Sequence, residues 1–63
     1  MNMQGIVRNI KFQIENDITV KIWKPENVEL LEFKENCDFV IKYLIDEGFL
    51  KSKRCRVKIM KKS

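Results

Sequence analysis

The sequence predicts a small α+β domain: a ββαβ chain whose three-stranded, antiparallel-type sheet runs in the order 2-1-3, with one main helix on one face. Three observations predict it. Residues 5–22 alternate apolar and polar side chains with the two-residue period of strands. Residues 36–49 carry an apolar stripe at helical spacing and stop at a glycine, and residues 54–60 alternate again.

In the first strand, residues 5–15, Ile6, Ile10, Phe12 and Ile14 share one face, with Asn9, Lys11, Gln13 and Glu15 on the other. Arg8 interrupts the apolar face and marks a sheet end, where its head reaches water. Ile18, Val20 and Ile22 continue the pattern in a second strand, with Thr19, Lys21 and Trp23 facing away. A two-residue loop at Asn16 and Asp17 would split the apolar residues between faces. A three-residue loop, 15–17, pairs Ile14 with Ile18, Phe12 with Val20 and Ile10 with Ile22, and is the register expected.

Residues 25–35 are less periodic. Pro25 suits the first position of a helical turn, and Val28 with Leu31 fits helical spacing, so a helical turn or short helix is expected there, a short strand or irregular arm over residues 28–33 being the alternative. In the main helix Asn36 serves as N-cap and Asp38 faces the positive end of the dipole. Cys37, Val40, Ile41 and Leu44 form the buried stripe, flanked by Phe39 and Tyr43. Gly48 supplies the left-handed stop, with Phe49 folding back onto Leu44 or Ile45. In the last strand Cys55, Val57 and Ile59 point inward, and Arg54, Arg56 and Lys58 outward. A right-handed crossover then places that strand beside the first.

Sixty-three residues make one small domain, burying roughly 60% of its unfolded surface, so stability is marginal without help. The chain has no His, and two Cys cannot make a four-ligand zinc site, so no metal or other cofactor is expected. Cys37 and Cys55 read as free thiols in a reducing cytosol, a bridge between them being the alternative. No membrane-spanning run or signal peptide is visible, which points to a cytoplasmic protein. Lys, Ile and Asn supply 23 residues and Ala none, a composition suiting an AT-rich phage or other mobile element.

Catalysis is not expected. The commonest acid–base group is missing, Ser52 and Ser63 have no base beside them, and single glycines form no phosphate cradle. Charge carries the functional lead. Net charge is +4, but residues 25–48 carry −5 and residues 49–63 carry +7. The uncovered sheet face collects Lys11, Lys21, Arg54, Arg56 and Lys58 around Trp23, with Asn9, Gln13 and Thr19 adding hydrogen-bonding groups. Such a face neutralises phosphates and offers an indole to an unpaired base. It equally fits a solvated face kept cationic against edge association.

Three partners are therefore expected in turn: nucleic acid, a larger host protein, or a second copy pairing along the edge of the second or third strand. A host-protein partner would make the chain an inhibitor or adaptor acting on a nucleic-acid machine, as anti-CRISPR proteins do. Residues 39–53 resemble the last helix and wing of winged-helix domains, where a helix ends at Gly and a basic hairpin follows. The chain opens with a hairpin where that fold has a helix, so no family is assigned.

Overall fold

The computed structural model describes residues 3–61. It is an α+β fold of one helix and a four-stranded mixed sheet. The strands are β1 (Met3–Val7), β2 (Ile10–Asn16), β3 (Thr19–Trp23) and β4 (Arg56–Met60), and the helix is α1 (Leu30–Asp46). The sheet order is β1-β2-β3-β4, with β1, β2 and β3 antiparallel and β4 parallel to β3.

The predicted first strand is in fact a hairpin. Arg8 and Asn9 both have positive φ, 52° and 62°, as a two-residue loop between right-twisted strands requires. Asn adopts that conformation at small cost, whereas Arg needs support. The Arg8 guanidinium lies 3.7 Å from the Phe39 ring centroid and donates to Asn36 Oδ1 at 3.4 Å. Both partners stand on α1, so the turn is held against the helix. The fold-back pairs Val7 with Ile10, Gly5 with Phe12 and Met3 with Ile14. It therefore turns Ile6, expected inside, onto the opposite face, where it is 70% exposed. Gly5 leaves room for its neighbour: a Cβ there would stand 3.0 Å from the Phe12 ring.

The second turn keeps the apolar faces matched but slips by two residues from the predicted register. Ile14 pairs with Val20 and Phe12 with Ile22. Glu15 is a bulge residue between the pairs Ile14–Val20 and Asn16–Thr19, so the loop is Asp17-Ile18. Asn16 Oδ1 accepts from the Ile18 N–H at 3.0 Å, closing the turn. Ile18 consequently sits at a turn and is 51% exposed, not in the core.

The helix begins earlier than predicted. Pro25 opens no helix; Glu26 and Asn27 form a turn, with Asn27 at φ 60°, and α1 starts after Glu29. Phe33 extends the stripe by one turn, giving Phe33, Cys37, Val40 and Leu44 as the buried set. Asn36 is thus internal to the helix, free to receive Arg8, while Glu32 occupies the first turn. The C-terminus follows expectation. Gly48 has φ 83°, its N–H donates to Ile45 O, and the Phe49 N–H donates to Leu44 O at 2.8 Å.

Strand order 2-1-3 does not form, because β1 occupies the free edge of β2. The chain leaving α1 is instead sewn to the β2–β3 turn. The Lys51 N–H donates to Asp17 O at 2.8 Å and the Arg56 N–H to Ile18 O. The last strand accordingly runs along β3, the crossover through α1 making the pair parallel. Both edges of β3 are occupied, leaving β1 and β4 as the outer strands.

Ile10, Phe12, Ile14, Val20, Ile22 and Leu50 close the core with the α1 stripe. Cys55 and Val57 pack on it partly buried, but Ile59, expected inside, is 50% exposed on the outermost strand. Leu44 is completely buried, and truncating it leaves a cavity that a core this small cannot close. We expect Leu44→Ala to cost about 2–5 kcal/mol, measured by urea denaturation. For a domain of this size that leaves little folded protein at 37 °C.

Candidate nucleic-acid interface

Pleating sets the open face. Ile10, Phe12, Ile14, Val20 and Ile22 turn toward α1, so the residues between them turn away. Cα partners across the ladder then place Lys11 beside Trp23, Gln13 beside Lys21, Lys21 beside Lys58, Trp23 beside Met60, and Arg56 beside Thr19. Ile6 and Gln4 extend the same face on β1, opposite Lys11 and Gln13.

Five of the six residues predicted from sequence therefore share one face: Lys11, Lys21, Trp23, Arg56 and Lys58. Arg54 does not. It lies in the turn before β4, its backbone N–H bonded to Ser52 Oγ at 3.2 Å, outside the strand ladder. Of the accessory polar residues, Gln13 stands on the face and Asn9 in the turn at its end. Thr19 is only 6% exposed and offers nothing to a partner.

Two side-chain contacts organise the charges. Lys11 Nζ lies 5.1 Å from the centroid of the Trp23 ring, within cation–π range. Lys58 Nζ and Glu15 Oε1 are 3.2 Å apart, an ion pair joining β4 to β2 across β3. Lys21 and Lys58 are direct ladder neighbours, an arrangement that like charges disfavour. The bulge at Glu15 brings a carboxylate to that point. Both members are substantially exposed, so the pair contributes at most about 1 kcal/mol.

At the Trp23 end the face opens into a cleft of about 530 Å³, lined by Asn9, Lys11, Trp23, Pro25, Glu26 and Lys61. Lys24 also borders it, but its amine is committed to the other side of the sheet. There Lys24 Nζ donates to Val28 O at 3.2 Å and lies 5.9 Å from the Phe33 ring centroid. Sequence reasoning missed Glu26 and Lys61 here, because only the turn after β3 and the end of β4 bring them together. The one available signal was that each follows the end of a strand, Glu26 shortly after Trp23 and Lys61 directly after Met60.

The opposite side of the molecule carries the acids. Glu29, Glu32, Glu35, Asp38, Asp46 and Glu47 are all exposed, with Lys34 and Lys42 among them. Among the described residues, no three His, Cys, Asp or Glu side chains gather as metal ligands do, and no helix is long and apolar enough to cross a membrane. Comparison with protein-family models, curated proteins and solved structures finds no match.

Both cysteines are free thiols. Burial raises the Cys37 thiol above its ordinary pKa, with the Asp38 charge adding to the rise. Burial also raises Cys55, partly opposed by a hydrogen bond from its own backbone N–H. A thiol held protonated on folding stabilises the fold below its ordinary pKa. That contribution is lost as pH rises through the folded value. Stability should therefore fall on the alkaline side, and a Cys37→Ser, Cys55→Ser double variant should lose that dependence in urea melts run across the thiol range. At neutral pH an alkylating reagent should modify Cys55 well before Cys37, which is only 8% exposed.

Proposed function

We propose that this chain is a small non-enzymatic nucleic-acid-binding protein that uses the open face of its sheet. The observation that carries the reading is the grouping of Lys11, Lys21, Arg56 and Lys58 around Trp23 on the side of the sheet away from α1. Cations on a pleated face lie within reach of successive phosphates, and their binding releases counterions. Ile6, Trp23 and Met60 interleave apolar and aromatic surface with these charges, which suits unstacked bases more than a closed duplex. Gln4 and Gln13 stand between them as donors and acceptors. The acidic helix side adds orientation: it repels a polyanion and turns the sheet toward it.

A second reading, an inhibitor or adaptor docking on a larger nucleic-acid enzyme, is favoured by that same acidic side. Exposed Glu29, Glu32 and Glu35 there present spaced carboxylates beside exposed Leu30 and Leu31. An origin in a phage or other mobile element accords with both readings.

The test is titration of labelled single- and double-stranded DNA and RNA against the protein. With three or four phosphate contacts, affinity for a single strand should fall about 20- to 50-fold between 50 and 200 mM salt. The Lys21→Glu, Arg56→Glu double variant should abolish binding while keeping the native circular dichroism. Glu15→Gln, which frees Lys58, should tighten it. Flat titrations at 50 mM salt would reject the nucleic-acid reading in favour of the protein partner, to be sought by pull-down from nuclease-treated lysate.

A further inference from the structure

We infer that the cleft at the Trp23 end is the seat of a single unpaired nucleotide, and that Glu26 makes it select bases carrying an amino group. This rests on the proposed nucleic-acid reading and deepens it. Two features of the cleft carry the inference. The only tryptophan of the chain stands in its wall, and Glu26 places a carboxylate among its cations.

Each wall group matches one part of a nucleotide. The indole of Trp23 offers a flat apolar surface of the size of a base, and stacking on it is open to any base. Lys11 already stands over that ring, 5.1 Å from its centroid. An incoming base takes its place, and the displaced amine, on a flexible stem, turns to the phosphate. Lys61 supplies the second cation of the cleft. Lys24 does not contribute, since its amine is held by Val28 O.

Glu26 has no place in a site that reads phosphate alone, where its charge only repels. Toward a base edge the carboxylate is an acceptor with no donor to give. It accepts from the amino group of cytosine, as acidic side chains do in base readout, and it opposes the carbonyl oxygen that uracil presents at the same position. Cytosine and uracil have the same ring size, so stacking alone separates them little. Pro25, fixed in φ, leads the chain into the turn that carries Glu26.

The experiment is titration of fluorescein-labelled octanucleotides dC8 and dU8 with the full chain and its variants at 50 mM salt, read by anisotropy, with Trp23 emission followed alongside in the chains that keep it. Quenching should accompany binding, and dC8 should bind about fivefold or more tightly than dU8, the low end of base-edge discrimination. Glu26→Gln, whose amide both donates and accepts, should erase the preference without lowering affinity for dU8. Trp23→Ala should weaken both oligonucleotides about tenfold, and Trp23→Phe, which keeps a ring in the wall, should retain most binding and guards against misfolding of the alanine variant.

Equal affinity for dC8 and dU8, or a preference that survives Glu26→Gln, would overturn the cleft assignment. So would a folded Trp23→Ala variant of unchanged affinity. If in those cases Lys21→Glu, Arg56→Glu still abolishes binding, the open face stands and only the cleft falls. Failure of both oligonucleotides to bind the unmodified protein removes both.

Discussion

The packing of one apolar stripe on one side of one sheet governs everything else in this molecule. Phe33, Cys37, Val40 and Leu44 meet Ile10, Phe12, Ile14, Val20 and Ile22, and among the described residues there is no second helix to cover the other side. Strand pleating then leaves no freedom. Once the isoleucines of β2 and β3 face α1, Lys11, Lys21 and Trp23 must face away. The charged surface is thus a consequence of core formation, with each cation's position set by an apolar neighbour one residue along.

That surface is not uniformly favourable to its own fold. Lys21 beside Lys58 is a like-charge pair in a direct ladder position, and a sheet optimised for stability alone would alternate signs there. The bulge at Glu15 relieves part of the repulsion by sending a carboxylate across β3. Arg8 shows a comparable compromise, a left-handed arginine held by Phe39 and Asn36. The chain tolerates local conflict at the edges of the sheet, while its core contains no buried polar side chain without a partner among the described residues.

Much of this was legible in the sequence, for physical reasons that also explain the errors. The stripe on α1, the Gly48 stop and the outward setting of Lys11, Lys21, Trp23, Arg56 and Lys58 follow from periodicity, which burial enforces strongly. The β1–β2 turn was not legible. Arg8 is a poor resident of a positive-φ turn, and its support comes from a helix thirty residues away in the chain. The one-residue bulge at Glu15 was likewise hidden, since a two-residue slip moves only Ile18 into the turn, preserves the face of the other paired apolar side chains, and so escapes alternation. Strand order depended on these two features. With β1 filling the free edge of β2, the last strand joined β3, to which the chain leaving α1 is tied at the β2–β3 turn. The cleft was out of reach for the same reason, because Glu26 and Lys61 meet only after β4 has taken its place.

The account is tested most directly by mapping contact on the surface itself. Backbone amide shifts of isotope-labelled protein should be followed by NMR as a short single-stranded oligonucleotide is added. Changes confined to Lys11, Gln13, Lys21, Trp23, Arg56 and Lys58, with Glu32, Glu35 and Lys42 on α1 unmoved, are the predicted result. Changes centred on the exposed side of α1, with the sheet residues unaffected, would contradict it.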